Sequence, residues 1–275
     1  MAYTAPTRKA LGIESDRITL YPRGFRPDQK KLAESIQLDQ NIRDRFRQAL
    51  VVSNFDDADG TVYTGAASEV LALNSGVAVY EVFQAAVASA AVIAPFQSGD
   101  GLELQPVAAA DALELTNGTS SLSRAAYTVG SLLDGKKLMM SVKMKIDDIS
   151  DVTEIFCGWR KAEAYQADPD SYAAVAAFHI GATDDGRISI TTSVSSTETV
   201  VDTTLTDWAD AGEHTLRIEV DNLGLCKFLY DGAAPTVTVA SFKFTAGEVI
   251  VPFLHMNTET GDPGCSISQW DVGYM

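Results

Sequence analysis

Three cysteines, three histidines and the lack of any long apolar run narrow this 275-residue chain first. Cys157, Cys226 and Cys265 are odd in number and form no CxxC pair, so the usual zinc-site spacing is missing. Each sits in a strand-like context and reads as a buried thiol. The opening MAYTAPTRKALGIESDR has no apolar core of signal-peptide length, and no later run reaches a membrane span free of polar residues. The expectation is a soluble protein with no membrane partner. Basic residues are outnumbered, 21 against 37 acidic, and the net charge of −16 argues against nucleic acid as the main partner, because a phosphate backbone would be repelled. No repeat of 20–50 residues and no low-complexity linker divides the chain.

What is present suffices for a substantial core: 46% of residues are hydrophobic and 21% charged, and a β-sandwich of this length is commonly one domain. The charge is unevenly spread. Of the 21 basic and 37 acidic residues, 10 and 6 fall in 1–50, leaving 11 and 31 in 51–275, so the two parts carry about +4 and −20. The division is an N-terminal arm and helix, 1–50, and a sandwich domain, 51–275. Pro6, Pro22 and Pro27 interrupt the irregular residues 1–28. From Asp28, a plausible N-cap, Leu32, Ile36, Leu38, Ile42, Phe46 and Leu50 recur at helical spacings, which predicts one helix near 28–49. Arg43, Arg45 and Arg47 fan around that helix, as a solvated face also would.

The remainder reads as strands. Residues 51–55 open the series, and the acidic turn at Asp56, Asp57 and Asp59 lacks the twelfth-position Glu of an EF-hand, so it reads as a polar turn. Residues 69–95 fit buried strands or a helix by periodicity; Asn74-Ser75-Gly76 and Pro95 tilt the reading to strands. Short alternating strands follow in 101–104 and 112–117. In 137–146, Leu138, Met140, Val142, Met144 and Ile146 face one way, with Ser141, Lys143 and Lys145 the other. Residues 155–160 form another strand, and 172–180 and 187–194 flank a hairpin turn, Thr183-Asp184-Asp185-Gly186. The Ser/Thr-rich 191–206 reads as polar outer strands. Strands recurring every 8–15 residues argue for a sandwich rather than βαβ units.

The clearest hairpin is residues 213–232. His214, Leu216, Ile218 and Val220 alternate with Thr215, Arg217, Glu219 and Asp221; Asp221-Asn222-Leu223-Gly224 turns the chain; Cys226, Phe228 and Tyr230 return. This run, with its Tyr230-Asp231-Gly232 turn, resembles the hairpin of concanavalin A-like (laminin-G-like) jelly rolls, and 266–274, with Trp270 and Tyr274, resembles their last strand. In combination they resemble tailed-bacteriophage virion proteins carrying this sandwich. The resemblance implies an all-β, concanavalin A-like jelly roll, a scaffold shared by lectins, glycanases and capsid proteins.

The residues offer little catalytic chemistry. Glu219 and Asp221 are the nearest match to the E-x-D-x-x-E strand motif of jelly-roll glucanases, but the third acid is missing. His179, His214 and His255 lie in strands, the last two on apolar-facing registers, without a G-x-S-x-G elbow or a phosphate-cradling loop. Trp159, Trp208, Tyr165 and Trp270 are the aromatic candidates for a sugar platform, with Trp208, between Asp207 and Asp210, the one expected to be exposed. The expectation is therefore a non-enzymatic structural virion protein without cofactor or metal. It is read as a capsid decoration (cement) protein on the particle surface that contacts the major capsid protein or other virion subunits and forms homo-oligomers. Arg8, Arg17, Arg23, Arg26, Arg43 and Arg47 are its candidate partner contacts, unless the arm packs along its own sandwich. The alternative is a carbohydrate-binding receptor module of a tail fibre or spike, with Trp208 as platform.

Overall fold

Where the sequence alternates strictly, the chain runs as a strand with one face in the core. Leu138, Met140, Val142, Met144 and Ile146 are all at most 1% exposed, while Ser141, Lys143 and Lys145 between them are half-buried. In the computed structural model, residues 51–54, 63–65, 69–74, 80–87, 91–95, 101–106, 112–116, 126–130, 137–181, 186–195, 197–237, 242–258 and 264–275 are described. The expected helix near 28–49, the six arm arginines, the acidic turn after residue 55 and the Thr183–Asp185 part of the hairpin turn lie outside them.

The strands are β1 (Val51–Asn54), β2 (Tyr63–Gly65), β3 (Glu69–Asn74), β4 (Tyr80–Val87), β5 (Ala91–Pro95), β6 (Leu102–Pro106), β7 (Ala112–Thr116), β8 (Tyr127–Thr128), β9 (Leu138–Ile146), β10 (Val152–Lys161), β11 (Ala174–Gly181), β12 (Arg187–Val194), β13 (Thr197–Asp202), β14 (Gly212–Val220), β15 (Cys226–Tyr230), β16 (Val249–Thr258) and β17 (Cys265–Tyr274). They form two antiparallel sheets. The eight-stranded sheet runs β15-β14-β9-β17-β6-β5-β2, with β1 on β17; the nine-stranded sheet runs β13-β12-β11-β10-β16-β7-β4-β3, with β8 on β16. The ambiguous run 69–95 resolves as strands, and the 213–232 hairpin pairs Ile218 with Phe228 and Leu216 with Tyr230. This is a two-sheet sandwich consistent with a jelly roll.

The main core lies between the sheets and holds Trp159, Phe178, Ile190, Leu254, Ile218, Phe228 and Trp270. Phe228 meets Phe178 edge-on at 5.5 Å, and Trp159 Nε1 donates to the Ile218 carbonyl across the sandwich at 3.3 Å. Cys157 and Cys265 are buried and Cys226 is partly so, all as free thiols. A second, smaller cluster, Phe156, Tyr172, Val175, Ala177 and Phe253, sits on the opposite register of β10, β11 and β16. The nine-stranded sheet is therefore apolar on both faces at its centre, which is why β16 shows no clean alternation.

Pro252 stands in β16, inside the sheet, where a missing N–H would ordinarily break a ladder. On one side β16 pairs with β7 through residues 253–257 and with β8 through Val249 and Ile250, so Pro252 falls in the gap between the two. Thr116 Oγ1 donates to its carbonyl at 2.6 Å.

Candidate functional site

The outer face of the nine-stranded sheet sets polar side chains around the apolar cluster at its centre. Register fixes the rows. Glu114 (β7), His255 (β16), Phe156 (β10), His179 (β11), Ser189 (β12) and Asp202 (β13) are successive cross-strand partners; Asn257 and Glu154 are partners in an adjoining row. On the other side, Arg160, Val175, Ser193 and Glu198 are likewise partners.

Residues 162–173, the connection from β10 to β11, cross this face. A buried ion pair holds them down: Arg160 Nη2 and Nε donate to Glu114 at 2.6 and 3.1 Å, with both side chains fully buried. Tyr172 Oη donates to Glu114 at 2.6 Å and accepts from the Gln166 amide at 3.0 Å. The guanidinium lies 4.4 Å from the Tyr172 ring centre and donates to the Lys161 and Glu163 carbonyls. Burial pushes the Glu114 carboxyl upward, while the guanidinium and the Tyr172 hydroxyl hold it down. Two buried charges are tolerated here because nearly every lone pair and proton finds a partner.

Beside this pair sit groups that are not satisfied. His255 is 0% exposed, yet neither ring nitrogen has a hydrogen-bond partner. Burial, aided by the Arg160 charge, lowers its pKa to about 3, so the ring is neutral. Tyr165 stacks over it at 6.4 Å, with a hydroxyl that also lacks a partner and a pKa raised to about 12 by burial and the Glu114 charge. Phe156 stacks on His179 at 4.2 Å. Toward the rim, burial and then the charges of Asp170, Asp168 and Glu198 raise Glu154 to about 7. Burial and the same neighbourhood raise Asp170 to about 6. His179 Nε2 stands 3.9 Å from Glu154.

The structure redistributes the residues picked out in the sequence. Trp208, expected to be the exposed platform, is 1% exposed: its indole donates to the Gly212 carbonyl at 3.1 Å and packs edge-on against His214 at 4.7 Å. The neighbouring aspartates suggested exposure, but the ring is tucked under the 213–232 hairpin. Trp159 and Trp270 are 0% exposed, so among the four aromatic candidates only Tyr165 lies on the polar face. His255 is not on the core register, which in β16 belongs to Ile250, Leu254 and Met256, but on the outer one. His214 is held by Asp231 at 2.8 Å at the sandwich end. Glu219 pairs with Lys137 and Arg217 at 3.3 and 2.8 Å on the outer face of the other sheet. Asp221 accepts from the Leu223 and Leu225 amides, which ties it to the turn. Glu114, Arg160 and the 162–173 connection were not singled out, since an ion pair spanning 46 residues leaves no local signal.

Among the described residues, no group of three or more His, Cys, Asp or Glu side chains is placed to hold a metal ion, and no helix is long and apolar enough to cross a membrane.

No protein-family model matches the chain, and no curated protein matches it. Among solved structures it is similar to the carbohydrate recognition domain of Emp47p (11% identity, 70% of this chain and 87% of that one, TM-score 0.47). It is also similar to that of Emp46p in a potassium-bound form (8%, 69% and 87%, TM-score 0.46) and to an alginate lyase from Corynebacterium sp. (11%, 66% and 81%, TM-score 0.44). At such identities and TM-scores none of these proteins' activities carries over, and the functional reading rests on the outer face itself.

Proposed function

We propose that this chain is a non-enzymatic binding module that takes a polyhydroxylated ligand, a glycan, on the outer face of its nine-stranded sheet. The carrying observation is where the unpartnered buried polar atoms cluster. Among the described residues seven have them, and Tyr165, Asp170, Ser193, His255 and Asn257 lie on that face or in the connection across it, against Arg217 and Asp271 elsewhere. A buried donor or acceptor without a partner costs about 1–3 kcal/mol. Sugar hydroxyls both donate and accept, so they satisfy such a mixed set. The partly exposed His179, backed by the buried Phe156 ring, and Tyr165 add flat surfaces of the kind that line small-molecule sites. A glycan array probed with wild type, His179→Ala and Asn257→Ala is the test. Wild type should retain a set of glycans that both variants lose at unchanged melting temperature; equal retention by all three refutes the assignment.

The charge split, about +4 in 1–50 against −20 in 51–275, supports a second reading: a phage capsid decoration protein anchored by its basic arm. In that reading, deleting residues 1–27 leaves a folded sandwich that no longer binds particles. Undiminished decoration by the truncated chain refutes it.

A further inference from the structure

We infer that residues 164–167 are a hinged flap that lifts from the outer face about a fixed neck and so controls whether a ligand reaches His255. The inference rests on the glycan reading above and adds the route by which the ligand takes its place. The walls around His255 are sheet. Glu114 and Phe156 flank it as cross-strand partners on β7 and β10, and Phe253 and Asn257 stand before and after it on the same face of β16. Strand pairing fixes all four. The roof is loop: the Tyr165 ring lies over the imidazole with 6.4 Å between centres and 23° between planes. Because His255 is 0% exposed, a ligand group reaches it only when that roof moves.

The neck and the tip of the 162–173 connection are held differently. At the neck, the Ala162 amide donates to the Val249 carbonyl at 2.8 Å, the Ala173 amide to Glu163 Oε1 at 2.7 Å and the Ser195 amide to the Ala173 carbonyl at 2.7 Å, beside the buried Arg160–Glu114–Tyr172 set. Among the described residues, 164–167 make a single backbone hydrogen bond, from the Gln166 amide to Tyr172 Oη at 3.0 Å. Closure also leaves polar atoms dry. Tyr165 Oη and both ring nitrogens of His255 are buried without a partner, a standing cost that opening removes because water then reaches all three. Few backbone bonds, exposed Ala164 and Ala167, and a ring laid over unpaired polar groups mark a segment of low local stability on a rigid base. The closed form therefore has an open one near it in free energy, and a ligand hydroxyl paired with His255 favours the open one.

The test needs no ligand. Diethyl pyrocarbonate acylates a bare imidazole nitrogen, and peptide mapping after labelling the full chain at pH 7 scores His179, His214 and His255 separately. His255 should be acylated about tenfold or more slowly than the partly exposed His179, slowed by the open fraction. Its rate should stay flat across urea concentrations below the unfolding transition, since a local opening exposes little surface. Gln166→Pro, which deletes the tip's one amide donor, should speed His255 labelling at unchanged melting temperature, and Tyr165→Ala should bring it close to the His179 rate. Labelling of wild-type His255 as fast as His179, none at all, or a rate that climbs with urea in step with global unfolding overturns the flap. So does labelling that neither substitution moves; should a variant fail to fold, the wild-type urea profile decides. The outcome is independent of the glycan array: hits alongside an unreactive His255 overturn the flap alone, and a blank array alongside a gated His255 refutes the glycan reading alone.

Discussion

Replacing Glu114 by Gln keeps the volume of the side chain and removes its charge, leaving the Arg160 guanidinium buried without a counterion. Both side chains are 0% exposed and the carboxylate receives three hydrogen bonds, two from Arg160 and one from Tyr172. Breaking a buried pair from one side costs about 3–5 kcal/mol, a large part of the roughly 5–15 kcal/mol that holds a domain folded. Removing both charges together, Glu114→Leu with Arg160→Met, avoids the stranded cation and should cost less than the sum of the two single changes. Tyr172 and the Lys161 and Glu163 carbonyls then lose partners, so some cost remains. Urea unfolding followed by tryptophan fluorescence measures wild type, Glu114→Gln, the two single changes and the double variant, since Trp159 reports on the core. Because the pair anchors residues 162–173, the single variant should also be cut by protease near the exposed Ala164 and Ala167 well before global unfolding. A Glu114→Gln midpoint shift worth less than about 1 kcal/mol, or strict additivity in the double variant, would refute the reasoning.

Three further outcomes follow from the geometry. Phe228→Ala removes a ring that is 5% exposed and packed on Phe178, and should cost about 3–5 kcal/mol by the same unfolding assay. Gly158→Ala would drive a Cβ into the Ala176 carbonyl oxygen and to 2.6 Å from Ala177 Cα, both backbone, so β10 and β11 must separate; a loss of about 1–3 kcal/mol or more, or insoluble protein, is expected. Glu154, raised from 4.5 to about 7, binds its proton more tightly when folded, so its contribution is present below about pH 4.5 and lost as pH rises through 7. His255, lowered to about 3, acts oppositely: its contribution is present above 6.5 and lost as pH falls. From these two groups the melting temperature should therefore rise as pH falls from 8 to about 6.5, stay near level to about 4.5 while the gain at Glu154 offsets the loss at His255, and fall below that; Glu154→Gln should remove the rise and start the fall near 6.5.

How much of this was legible in the sequence depended on whether a strand has one wet face. Residues 138–146 and the 213–232 hairpin alternate because one side meets solvent, so their registers and the burial of Ile218, Phe228 and Trp270 could be read directly. Tyr230, on the same register as Phe228, is only partly buried against the core. β16 gave no such signal: Val251, Phe253 and His255 are as buried on the outer face as Ile250, Leu254 and Met256 are inside, and Pro252 argued against a central strand. The candidate site was missed for the same reason. It depends on which strands lie side by side, and β7, β16, β10 and β11 become neighbours only through long connections. Tyr165 was noticed as an aromatic, but its place over His255 is a tertiary fact.

The most direct test of glycan binding on the outer face uses the scarcity of histidine. With three histidines in the chain, a long-range proton–nitrogen correlation spectrum shows three imidazole sets, two from the outer face, His179 and His255, and one from the sandwich end, His214. Titrating the tightest array ligand should shift the His179 and His255 signals and leave His214 in place. Movement of His214 alone, or of none of the three at saturating ligand, would contradict the account.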